Sequence, residues 1–160
     1  MKNDDLFNDS NGKKISAREV VTEVINFMKE DQRRHYKVII GTDSQQTSDD
    51  SDFVTAIVVH RVGNGGRYFW RRSENGRFYT LRDRIITEVL LSIEVAKEVL
   101  MFLKSATTLP FNFEIHADVG NNGETKTMIS EVVGMIKAHD FEAKTKPESY
   151  AASKVADRHT

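Results

Sequence analysis

Apolar residues recur along this chain with two periods, and the switches between them mark out its elements. Residues 1–14 have little to bury apart from Leu6 and Phe7 and predict a flexible arm ahead of a single domain over residues 15–160. From Ser16 a capping box, Ser16-Ala17-Arg18-Glu19, opens a helical stripe of Val20, Val21, Val24, Ile25 and Met28. Tyr36 to Thr42 is a continuous β-branched run, the pattern of a central strand covered on both faces, and it ends in Gly41-Thr42-Asp43. Phe53 to Val62 and Arg67 to Arg72, joined through Gly63-Asn64-Gly65-Gly66, complete an antiparallel meander. Leu81 to Lys104 then reads as a long helix and Phe111 to Val119 as an alternating strand. A helix carrying Met128, Ile129, Val132, Val133 and Ile136, a short strand from Phe141 to Lys146 and a closing helix from Ser149 to His159 complete the chain. The predicted order is one helix, then βββαβαβα.

Composition narrows the picture without redirecting it. A length of 160 residues suits one domain with a real core, and a net charge of −1 gives no overall pull toward nucleic acid, so any electrostatic footprint must be local. The absence of cysteine excludes disulfides and thiolate metal sites. The polar, acidic start lacks the pattern of a signal peptide, and no apolar stretch approaches the twenty or so residues a membrane span needs, so a cytoplasmic protein without a membrane partner is expected.

Four carboxylates are out of place for ordinary surface acids. Asp43 ends a buried apolar run, where a charge is costly unless paired and where open α/β sheets put their sites; the ordinary alternative is a turn aspartate bonding its own loop. On the long helix, Glu94 and Glu98 share a stripe with Thr87, Lys97 and Met101. Glu88 instead lines up with Leu91, Val95, Val99 and Phe102, where an ionised group needs a partner. Asp118 ends the alternating strand, on the face shared by Asn112, Glu114 and His116, and would neighbour Asp43 if the two strands were adjacent and parallel. Asp157 follows Ala151, Ala152, Val155 and Ala156; its ordinary role would be an ion pair with Lys154. Ser44 and His116 are expected to support these acids from behind.

The segments Gly41-Thr42-Asp43-Ser44-Gln45, His116-Ala117-Asp118-Val119-Gly120, Lys146-Pro147 and Val155-Ala156-Asp157-Arg158-His159-Thr160, in this order on these elements, resemble the ribonuclease H superfamily. Within it the chain is similar to the YkuK-like family of predicted ribonuclease-H-like proteins. The resemblance implies an α/β ribonuclease-H-like fold: a five-stranded mixed sheet in the order 3-2-1-4-5, with the leading helix as an addition. It also implies metal ligands at Asp43, Glu88 and Asp118, with Asp157 at the superfamily's variable fourth acid.

The corresponding activity is hydrolysis of a phosphodiester in RNA or structured nucleic acid, with two Mg²⁺ or Mn²⁺ ions about 4 Å apart. A local basic excess supports a nucleic-acid partner: seven arginines from Arg61 to Arg84 face only Glu74 and Asp83, interleaved with aromatics. Arg67, Arg71, Arg72 and Trp70 are the candidate contacts, the other reading being an edge strand that uses charge against aggregation. The competing function is a non-catalytic module that binds nucleic acid or protein on the same fold. Nucleotide clamping of the actin type is disfavoured, since it needs two such domains.

Overall fold

The computed structural model of the chain describes residues 5–74, 76–78, 80–121 and 123–149. Its first elements are two short strands, β1 (Phe7–Asn8) and β2 (Lys14–Ile15), followed by helix α1 (Ala17–Glu30). The meander is β3 (Tyr36–Gln46), β4 (Ser51–Arg61) and β5 (Gly66–Glu74). Helix α2 (Leu81–Ala106), strand β6 (Asn112–His116), helix α3 (Ile129–Ala138) and strand β7 (Glu142–Lys144) complete the described elements. The expected closing helix, and with it Asp157, lies outside the described residues.

The sheet has seven strands in the order β2-β1-β5-β4-β3-β6-β7. The five expected strands stand in the expected 3-2-1-4-5 order, but a sheet of five is corrected to one of seven. The two additional strands come from the segment read as an arm. Phe7 is only 2% exposed, with the Arg71 guanidinium 4.8 Å from its ring centroid, and burial of such a ring contributes about 2–3 kcal/mol. Asn8 pairs with Trp70, and its side-chain amide donates to the Trp70 carbonyl at 3.2 Å. Asp9 folds the chain back by accepting from the backbone N–H groups of Asn11 and Lys13, both at 2.9 Å. The unpaired edge of β5 is thereby covered.

Both halves of the predicted capping box are present at α1. The Glu19 N–H donates to Ser16 Oγ at 3.2 Å, and the Ser16 N–H donates to Glu19 Oε1 at 3.0 Å. The three described α-helices share one apolar core with one face of the sheet: Val20 and Val24 of α1, Val89, Ile93 and Ala96 of α2, and Val132 and Ile136 of α3 meet Val38, Ile40, Ile57, Val59 and Ile115. Ile39 alternates to the other face, into a smaller cluster with Ala56, Val58 and Tyr68. Burial on both sides is why this stretch of β3 is uninterruptedly apolar. No described helix is long and apolar enough to cross a membrane.

Candidate acidic site at the end of the parallel ladder

Strands β3 and β6 pair in parallel from Lys37↔Asn112 to Gly41↔His116, and there the ladder stops. Strand β3 runs on to Gln46, held by β4 through pairs such as Asp43↔Val54, while the chain after β6 bends away. Asp43 is therefore not the last residue of its strand. It lies two residues past the parallel ladder, as Asp118 does on the other side, and the two flank the crevice that opens where the strands part.

Glu88 enters this crevice from α2. It is 5% exposed, while Glu94 and Glu98 of the same helix are exposed, the separation that helical geometry predicts. The Ser44 hydroxyl donates to Glu88 Oε2. Burial pushes the Glu88 carboxyl up from its ordinary 4.5 to about 8; the Ser44 hydrogen bond opposes this, the charges of Asp43 and Asp118 add to it, and Arg84 counters it. Glu88 thus senses both aspartates, although the three acids come from β3, α2 and the turn after β6.

Beneath them runs a chain of buried hydroxyls. Thr42 Oγ1 lies 2.7 Å from Ser92 Oγ and 3.0 Å from Thr55 Oγ1, tying β3 to α2 and β4 next to Asp43 and one turn from Glu88. Backbone pairing beyond the ladder then brings Lys146 to the site: the Ala117 N–H donates to the Lys144 carbonyl at 2.9 Å, and the Lys146 N–H donates to the Val119 carbonyl at 2.8 Å. Lys146 Nζ stands 2.9 Å from Asp118 Oδ1. Its pKa is raised chiefly by the Asp118 hydrogen bond; desolvation opposes this, and the charges of Asp118, Asp43 and Glu88 add to the rise.

His116 pairs with Gly41 at the end of the ladder and lines the same small pocket as Glu88 and Asp118. Its Nε2 lies 2.9 Å from Glu114 Oε2, and Lys37 Nζ lies 3.5 Å from Glu114 Oε1. Glu114 is only 3% exposed; burial would raise its pKa, yet the His116 hydrogen bond and the Lys37 charge leave it lowered. Burial lowers the pKa of His116 itself, against the pull of Glu114. Sequence reasoning assigned no role to Glu114, although strand alternation already set it beside His116.

The four candidate nucleic-acid contacts on β5 divide between the two faces of the sheet. Arg67 turns to the helix side, 3.8 Å from Glu30, and Arg71 lies over Phe7. Trp70 and Arg72 alternate to the other side, with the guanidinium 5.9 Å from the indole centroid. Asp43, Val54 and Arg72 occupy one row across the sheet, so Asp43 and Arg72 share a face about 10 Å apart.

Mg²⁺ or Mn²⁺ would suit these donors, since all are carboxylate oxygens, the ligands that hard cations take. Among the described residues no three His, Asp or Glu side chains stand together as a ready-made metal-binding group. Within the fold, Lys146 engages Oδ1 of Asp118 and Ser44 engages Oε2 of Glu88.

Comparison with known proteins agrees with this architecture. The sequence model of the family described as ribonuclease H-like matches residues 19–160. The chain is 34% identical over 166 residues to the uncharacterised protein YkuK of Bacillus subtilis (strain 168), an alignment covering 97% of this chain and 96% of that protein. With five strands in the expected order, a family match over most of its length and a full-length relative, the chain belongs to the ribonuclease H-like family.

Proposed function

We propose that the protein hydrolyses phosphodiester bonds of RNA or structured nucleic acid with the help of Mg²⁺ or Mn²⁺ held by Asp43, Glu88 and Asp118. The observation that carries this reading is the approach of three carboxylates from separate elements to the end of the parallel ladder, the charges of Asp43 and Asp118 adding to the burial that raises the proton affinity of Glu88. A cation bound among them would offset both the burial of Glu88 and the repulsion from the two aspartates. Bound there, a divalent ion would supply the Lewis acidity that activates water and stabilises the leaving oxygen.

The remaining roles fall to the chain itself. Asp43, fixed between two ladder-bonded neighbours and backed by the Thr42–Ser92 hydroxyl pair, orients one ligand from a rigid strand. Ser44 steers the Glu88 carboxylate. Trp70 and Arg72, on the face shared with Asp43, offer a stacking plane and a cation for a strand passing the site. Arg67 and Arg71, on the helix face, serve the fold in this reading.

The test is cleavage of a panel of single-stranded RNA, RNA–DNA hybrid and branched DNA by the purified protein with Mn²⁺. We expect at least one substrate to be cut, with a loss of 100-fold or more in Asp43→Asn. Failure to cut any of them, or equal cleavage by Asp43→Asn, refutes hydrolysis. Binding without cleavage would favour the non-catalytic module.

A further inference from the structure

Lys146 is the most informative residue outside the carboxylate set, and the role inferred for it rests on Asp43, Glu88 and Asp118 binding a metal ion. Its backbone N–H is fixed to the Val119 carbonyl, and its stem lies against Gly120 so closely that a Cβ there would stand 2.9 Å from the Lys146 Cβ. Only glycine admits this approach. The stem is thereby directed along the acidic crevice, and the ammonium reaches Asp118 at 2.9 Å with the side chain still 58% exposed. Neighbouring lysines are engaged elsewhere: Lys144 with Glu142 at 3.2 Å and Lys37 with Glu114 at 3.5 Å.

We propose that Lys146 is a tethered cation of the acidic site, taking the place of one of the two metal ions, so that the protein binds a single divalent ion there. Charge balance favours this arrangement. Asp43, Glu88 and Asp118, all ionised around an ion, carry three negative charges, which one divalent ion and one ammonium neutralise. Beside the ammonium, a second divalent ion would bring these described groups to two net positive charges, with Arg84 one turn before Glu88 adding to the excess. Geometry also suits the role. Glu88 is buried beneath the site, whereas the exposed ammonium lies on its open side, where the non-bridging oxygens of a bound phosphodiester would meet it.

The test is calorimetric titration of the full chain with Mn²⁺, comparing wild type with Lys146→Met, Lys146→Gln and Lys146→Arg. Wild type should take up one ion through Asp43, with binding lost in Asp43→Asn. Removing the ammonium in Lys146→Met or Lys146→Gln should tighten Mn²⁺ binding about tenfold or more, admit a second ion, or both, while Lys146→Arg retains the wild-type isotherm. A merely structural role would weaken binding or leave it unchanged, so tighter binding in the neutral variants is diagnostic. Two ions on wild type, or unchanged or weaker binding in both neutral variants, overturns the tethered cation while leaving the metal site standing. No Mn²⁺ uptake by any form, or uptake indifferent to Asp43→Asn, overturns the metal site and the tethered cation with it.

Discussion

Glu88→Gln isolates the energetic consequence of burying an acid among acids. Folded, Glu88 keeps its proton up to about pH 8; unfolded, it releases it near the ordinary 4.5. Between those values the folded chain binds more protons than the unfolded one, so stability falls as pH rises. The contribution is fully present below pH 4.5 and is lost as pH climbs through 8. At about 1.4 kcal/mol for each tenfold change in proton affinity, the whole span is worth about 5 kcal/mol. Of this, about 4 kcal/mol develops between pH 5 and pH 9. Local water entry and rotation of the side chain relieve part of that cost, so a measured change of about 2–4 kcal/mol is expected. Glutamine keeps the shape and an acceptor for the Ser44 hydroxyl but carries no charge. In urea unfolding with a chelator present, Glu88→Gln should therefore gain on wild type as pH rises, with most of the gain above pH 6. Glu94→Gln, on the exposed stripe of the same helix, should track wild type. A gap between Glu88→Gln and wild type that does not change from pH 5 to pH 9 would refute the assignment of Glu88 as a buried acid held by its environment.

Contacts around the site lead to three further outcomes. Phe7→Ala should cost about 3 kcal/mol in chemical denaturation and speed amide exchange at Asn8, because Phe7 anchors the strand that covers β5; a loss under about 1 kcal/mol would mean that the segment contributes no core. Thr42→Val should cost about 1–3 kcal/mol, since it strips the Ser92 and Thr55 hydroxyls of a buried partner; a neutral effect in the same assay would contradict the hydroxyl chain. Glu114 has a lowered pKa, so its contribution is present above the ordinary carboxylate value and lost as pH falls through the lowered one. Glu114→Gln should therefore flatten the acid limb of the stability profile, and an unchanged limb would contradict its pairing with His116 and Lys37.

Much of this arrangement is legible in the sequence because it arises from periodicity. The uninterrupted apolar run before Asp43 identifies the central strand, the Ser16–Glu19 spacing fixes the start of α1, and helical phase alone separates Glu88 from Glu94 and Glu98. What escapes has different physical origins. Strands β1 and β2 are two residues each, too short for any period, and exist because Phe7 finds Arg71 and the core. Lys146 reaches Asp118 through the pairing that continues past β6 and β7, a long-range consequence of register that local pattern does not carry. The division of Arg67 and Arg71 from Trp70 and Arg72 is present in the sequence as simple alternation, but reading the segment as one basic patch merges the two faces. Asp43 is a subtler case. Its run ends the parallel ladder as the sequence suggests, yet the antiparallel partner β4 carries the strand on to Gln46.

That Asp43, Glu88 and Asp118 hold a divalent cation is tested most directly by anomalous diffraction from crystals of the protein soaked in Mn²⁺. We expect an anomalous peak at the end of the β3–β6 ladder, about 2.0–2.3 Å from an oxygen of Asp43 and from oxygens of Glu88 or Asp118. Crystals saturated with Mn²⁺ that show no peak there, or show peaks only at other acids, would contradict it.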